Sequence, residues 1–170
     1  EDGLTDDDIY WGTMLSIAEM LKTGTTCFAD MYFAMNRVAD AVEETGIRAA
    51  LSRGLTGFSD ENYAKLEENA ALFKERHNSA GGRIHVMLGP HAPYTCSVEY
   101  LKNVIAKAQQ LGSEIHIHLC ETKGEVDNCI KEHGMSPIKL MDSLGMFECG
   151  TLAAHSVHVD EEDMAIMAGK

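Results

Sequence analysis

The chain lacks most of what would serve a nucleic-acid, membrane or disulfide-built protein. Its 14 Lys and Arg face 27 Asp and Glu, a formal charge of −13, so no basic stripe is offered to phosphates or to an anionic membrane. The nearest cationic cluster, Lys74 and Arg76, is interrupted by Glu75. No apolar run approaches the roughly 20 residues that span a bilayer. The acidic start, with Asp6, Asp7 and Asp8 after Thr5, has none of the apolar core of a signal peptide. Five cysteines, an odd number without a Cys-x-x-Cys pair, argue against a disulfide scaffold or a zinc ribbon and fit a reducing, cytoplasmic setting. The glycine-rich dinucleotide fingerprint is missing too: Thr23-Gly24-Thr25 and Gly81-Gly82 precede strands instead of following them.

What is present reads as one α/β domain over residues 1–170, with a hydrophobic content of 45%, enough to build an ordinary core. Thr5 caps a helix in which Tyr10, Met14, Ile17 and Leu21 recur at helical spacing until Thr23-Gly24. Strands are expected at 26–31, 48–54, 83–88, 114–119 and 151–157. Helices are expected at 35–45, 60–77, from Ser97 to Gly112, at 124–132 and 137–144, and from Asp160 onward. Gly89-Pro90-His91-Ala92-Pro93 reads as a strand-to-helix loop. Such βα units imply a parallel sheet. Two architectures fit: an open doubly wound sheet, or five of the eight units of a (β/α)8 TIM barrel.

Histidines mark the C-terminal ends of the later strands. His118 closes Ile115-His116-Ile117-His118-Leu119, with Glu121 three residues on, and His155 closes the next strand in the matching position. Imidazole binds zinc and similar divalent ions, and a nearby carboxylate moves protons on the water such an ion activates. His116 shares the face of His118, one layer deeper, where a filling role is expected. His91 stands between Pro90 and Pro93, which fix the backbone around it and so aim the imidazole at a substrate. Arg53 at a strand end is a candidate carboxylate contact, or a partner for one of the many acids. His77, His85 and His133 read as structural, His158 as a solvated or capping residue, and Asp30 as a cap or loop hydrogen-bonder.

The segments Thr23-Gly24-Thr25-Thr26-Cys27-Phe28-Ala29-Asp30-Met31, Gly89-Pro90-His91-Ala92-Pro93-Tyr94, His118-Leu119-Cys120-Glu121-Thr122 and Ala153-Ala154-His155-Ser156-Val157-His158 resemble, in order, the amidohydrolase superfamily. The likeness is to its 5-methylthioadenosine/S-adenosylhomocysteine deaminase branch. Triazine chlorohydrolases and guanine deaminases share much of the pattern and are the alternatives on the same scaffold. A metal-free α/β binding module is the alternative from another class. The resemblance implies a (β/α)8 barrel holding one divalent metal, zinc, and hydrolytic deamination of a small purine nucleoside thioether. His118 carries over as a metal ligand. Glu121 carries over as proton shuttle and substrate contact, and His155 as the residue that orients the attacking hydroxide. His91 and Arg53 carry over as substrate contacts, Arg53 toward the carboxylate of S-adenosylhomocysteine. Lys65 stands where some relatives have a second arginine for that carboxylate, keeping the charge without bidentate geometry.

The family's His-x-His pair on its first strand and the aspartate on its eighth have no counterpart here; the one His-x-His, His116 with His118, lies on a later strand. The chain is therefore expected to be an internal piece, family strands two to six, that binds metal weakly and has no measurable turnover by itself. Unpaired sheet edges make a homo-oligomer, or self-association of the piece, the expected state.

Overall fold

The computed structural model describes residues 3–170. Six strands pair in parallel: β1 (Cys27–Tyr32), β2 (Arg48–Leu55), β3 (Ile84–Val86), β4 (Gly89–Pro90), β5 (Ile115–Leu119) and β6 (Thr151–His155). β1 pairs with β2, β2 pairs with both β3 and β4, and β5 pairs with β6. Leu88 joins the two sets, its N–H donating to Glu114 O at 3.0 Å and its oxygen accepting from His116 N–H at 2.8 Å. β3 and β4 are thus one interrupted stave, and five staves follow one another in chain order. A doubly wound sheet reverses direction at a switch point. No reversal occurs among the described residues, so the fold is a sector of a (β/α)8 barrel and the open-sheet alternative falls.

The interruption corrects the expectation of one strand over 83–88 followed by a loop. Buried Asn69 reaches in from the helix behind: its Nδ2 donates to Met87 O and its Oδ1 accepts from Gly89 N–H, both at 3.0 Å. The side chain thus takes over ladder bonds that the backbone gives up. Gly89 then rejoins β2 so closely that a Cβ there would lie 2.7 Å from Arg53 O and 2.8 Å from Ser52 Cβ.

The helices are α1 (Asp6–Lys22), α2 (Met35–Thr45), α3 (Ala64–Arg76), the irregular turn α4 (Ser79–Gly82), α5 (Val98–Leu111), α6 (Lys123–His133), α7 (Pro137–Ser143) and α8 (Glu161–Ala168). Local signals set most of their ends. Thr5 and Asp8 form a capping box, and Ser97 caps α5. Gly46 and Gly112 close α2 and α5 in the left-handed region that glycine adopts without a Cβ penalty. α3 starts four residues later than expected, after two 3-10 turns, because Asn62 and Tyr63 have positive φ. The Asp60 carboxylate caps it from outside, accepting from Lys65 N–H at 2.7 Å, Leu66 N–H at 3.1 Å and the Tyr100 hydroxyl at 2.5 Å.

The core lies between strands and helices. Val42, Leu51, Leu72 and Val86 anchor its first half, and Leu101, Ile115, Ile117, Leu119 and Ile138 its second. Because Ile115, Ile117 and Leu119 face the helices, strand alternation turns His116 and His118 to the inside of the barrel. None of the helices among the described residues is long and apolar enough to cross a membrane.

Candidate functional site

His116 forms the floor. It is 4% exposed, its Nδ1 lies 3.4 Å from Ser52 Oγ, and burial pushes its pKa down to about 4. It is a neutral filling residue beneath His118, whose ring centroid is 5.7 Å away. His118 sits at the strand end, where three further groups meet it. The His91 ring is 5.1 Å from it and the His155 ring also 5.1 Å, centroid to centroid. Glu121 Oε2 is 3.8 Å from His155 Nε2.

Backbone bonds bring these groups together. The His91 N–H donates to Leu55 O at 2.9 Å, and its own oxygen accepts from His118 N–H at 2.9 Å, so the proline-flanked loop is stitched to strands on both sides. Thr95 Oγ1 holds His91 Nδ1 at 3.0 Å. Beyond β5 the chain turns sharply at Cys120, whose φ is +53°. The Glu125 carboxylate braces that turn, accepting from Cys120 N–H and Glu121 N–H at 2.9 Å each. Cys120 O in turn accepts from Val157 N–H and His158 N–H, tying the β6 exit to the same corner. The His158 residue is exposed in this loop and contributes its backbone N–H.

Burial, and then the neighbouring His91 and His155 imidazoles, hold His118 below the usual imidazole range. Its Nδ1 is buried without a hydrogen-bond partner. A neutral imidazole with an unclaimed nitrogen suits a metal ligand, because a coordinating lone pair must be free of a proton. Among the described residues, however, no group of three or more His, Cys, Asp or Glu is arranged to hold an ion. Zinc sites normally need three or four protein ligands. Of these residues, His118 is the one whose buried, unpartnered nitrogen fits that chemistry.

Beside His91 and His118 opens a cavity of about 560 Å³, lined also by Arg53, Lys65, Tyr32 and Phe33. The Tyr32 and Phe33 rings stack 4.2 Å apart. The cavity lining contains two cations and no carboxylate, in a chain whose net charge is −13. Arg53 is already engaged: Nε donates to Glu68 Oε2 at 2.9 Å and Nη1 to Gly54 O at 2.6 Å. A larger cavity, about 750 Å³ between α5 and α6, includes none of His91, His118, Glu121 or His155. Size alone misdirects there, since the convergent polar groups lie elsewhere.

Of the residues singled out in the sequence, His91, His118, Glu121 and His155 converge, and Arg53 and Lys65 share the adjoining cavity. His77, His85 and His133 lie away from this cluster, and His85 Nε2 pairs with Glu114 Oε2 at 2.5 Å. Asp30 is inside β1, not at its end, and burial raises its pKa. Sequence reasoning missed Glu125. Its signal was legible, since Thr122-x-x-Glu125 has the spacing of a capping box and Thr122 Oγ1 does cap Glu125 N–H.

The amidohydrolase family model matches residues 2–170. A 5-methylthioadenosine/S-adenosylhomocysteine deaminase from Desulforudis audaxviator is 52% identical over 168 residues, 99% of this chain and 39% of that one. One of the same name from Pelotomaculum thermopropionicum is 49% identical over 170 residues, again 39% of its length. The chain thus spans about two fifths of these relatives. Among solved structures, an adenosine deaminase from Xanthomonas campestris with bound zinc superposes with a TM-score of 0.89 at 26% identity, covering 98% of this chain and 38% of that one. An atrazine chlorohydrolase from Arthrobacter aurescens complexed with zinc superposes at 0.86 with 20% identity, over 98% and 41%, and supports the fold alone. With the family model matched across the barrel sector that carries the histidine cluster, this chain belongs to the amidohydrolase family.

Proposed function

We propose that the protein carrying this chain is a metal-dependent hydrolytic deaminase of adenosine-type thioethers, 5-methylthioadenosine and S-adenosylhomocysteine. The observation that carries the reading is the meeting of His91, His118, Glu121 and His155 at the strands' C-terminal edge, where barrel enzymes do chemistry. The relatives' names point to the same substrates. The cavity beside the cluster adds chemistry: stacked Tyr32 and Phe33 offer apolar surface to a thioether, and the two cations suit an anionic tail.

In this reading His118 is one ligand of a divalent ion, zinc. The ion supplies, when bound, water activated for attack on the purine carbon that bears the amino group. Glu121 protonates the adjacent ring nitrogen, and a further proton transfer lets the amine leave as ammonia, with an inosine-type product remaining. His155, beside the Glu121 carboxylate, orients the attacking oxygen. His91, held through Nδ1 by Thr95, turns its other ring nitrogen to the substrate.

The test is ammonia release by the protein as its own gene encodes it, supplied with methylthioadenosine, S-adenosylhomocysteine and guanine. Turnover of the two thioethers, abolished by Glu121→Gln, is the expected result. Turnover of guanine alone, or full activity in Glu121→Gln, would overturn the reading.

A further inference from the structure

We infer that two copies of the protein pair through the outward face of α1, antiparallel, with Leu15 of each copy at the two-fold axis. The inference is independent of the proposed function, and the surface is a helix face, not an unpaired sheet edge.

α1 buries Ile9 and Ile17 against the core, yet its Trp11 and Leu15 stand 65% and 64% exposed. At about 100° per residue, Trp11, Leu15, Ala18 and Lys22 fall in one sector about 60° wide, nearly opposite Ile9 and Ile17. All four are exposed. Both flanks of the helix are otherwise engaged. On one flank α2 is joined by the Tyr10 hydroxyl, donating to Glu44 Oε2 at 2.6 Å, and by Arg37 on Asp7 at 3.0 Å. On the other, Gly12, Ser16 and Met20 line a cavity of about 510 Å³ together with Phe28 and Asp30 of β1. β1 pairs with β2 alone among the described residues, so its free edge on that flank is where the next stave of a barrel joins. The Trp11–Leu15 sector turns toward neither flank, and closing the barrel leaves it facing outward.

The face is complementary to itself. Asp8, Trp11, Leu15, Ala18 and Lys22 follow the alternating three- and four-residue spacing of a helix–helix seam. Leu15 lies midway between Asp8 and Lys22, so a two-fold axis there sets each Asp8 against Lys22 of the other copy. The same operation lays the large Trp11 over the small Ala18 on either side of the axis. Asp8 spends one carboxylate oxygen on the capping box with Thr5, which leaves the second to accept. Lys22 makes no ion pair among the described residues. Parallel pairing would instead oppose Lys22 to Lys22 and the Asp6–Asp8 acids to one another, so charge selects a copy of this helix run the other way. A seam one helix wide is smaller than the roughly 800 Å² per partner of a standard interface, and association on the order of micromolar is expected.

The experiment is sedimentation equilibrium of the protein as its gene encodes it, over concentrations from about 1 to 100 μM. A monomer–dimer equilibrium is expected. Leu15→Glu, which sets two carboxylates face to face at the axis, is expected to raise the dissociation constant at least about tenfold. Lys22→Glu is expected to raise it severalfold and Lys22→Arg to leave it nearly unchanged. Leu15→Cys reads the geometry directly and keeps the test open should Leu15→Glu fail to fold. Treated with diamide, which takes up the two thiol protons and two electrons, it is expected to give a disulfide-linked dimer on a non-reducing gel. Ser16→Cys, a sixth of the way round the helix or more, and the unsubstituted protein are expected to give none. A monomer at every concentration, as when another part of the same chain covers the face, overturns the inference. So does an assembly indifferent to Leu15→Glu, or equal cross-linking through positions 15 and 16.

Discussion

His118 and His155 hold their rings 5.1 Å apart although strand register puts His155 beside Leu119, on the stave's other face. The alternation is broken by His155 itself, whose φ is +73°, followed by Ser156 at +50°. Positive φ at a non-glycine residue costs of order 1–3 kcal/mol and persists where surrounding structure holds it. Here Ser156 N–H donates to Leu119 O at 2.9 Å, and Val157 and His158 N–H groups both close on Cys120 O. Asparagine tolerates the left-handed region but has no imidazole. His155→Asn is therefore expected to lower kcat for ammonia release by about 100-fold, while changing the unfolding free energy by less than about 1 kcal/mol. A variant with normal kcat would remove His155 from the chemistry.

Glu125 is 8% exposed, and its two oxygens satisfy two backbone donors at the corner that presents Glu121. Glu125→Ala leaves both amides without a partner, at a cost of about 3 kcal/mol in urea unfolding. Glu125→Gln keeps one acceptor and turns an NH2 toward the other donor, so it is expected to fall between the two. Equal stability of all three would show that water replaces the carboxylate.

A polypeptide limited to these 170 residues is expected to retain no stoichiometric zinc after dialysis, measured by elemental analysis. His118 contributes one ligand, and no group of three potential ligands forms among the described residues. One tightly held ion per chain would mean that the ligand set has been misread.

His77 offers a pH test at the opposite end of the strands. Its Nδ1 lies 3.2 Å from both the N–H and the oxygen of Val86, and its ring stacks on Phe73 and approaches His85, which is paired with Glu114. Burial, and then His85, lower its pKa. The unfolded chain therefore binds more protons just below the ordinary imidazole value of about 6.5. Stability from neutral His77 is fully present above that value and is lost as pH falls through the folded pKa. His77→Gln, which keeps an acceptor for Val86 N–H and does not titrate, is expected to flatten the rise of unfolding free energy across this window. An identical slope in the variant would count against the assignment.

Helix and strand order were legible from Tyr10, Met14 and Ile17 at helical spacing and from the apolar strands ending in His118 and His155. The caps Thr5, Ser97, Gly46 and Gly112 were legible for the same reason. Each is a local preference, decided by a residue and its near neighbours in sequence. The late start of α3 and the break at Met87 were not legible. Asp60 caps from outside the helix, and Asn69 intrudes from another element, so both depend on contacts across many residues.

The sequence by itself determined the βα rhythm, the acidic surface and which side chains could carry metal and proton chemistry. Only the tertiary structure decided between barrel and open sheet, because strand order is set by long-range pairing such as Leu88 with Ile115. It also decided that Glu68 takes Arg53 while Lys65 stays unpaired, since a cation's available charge depends on which acid reaches it through space.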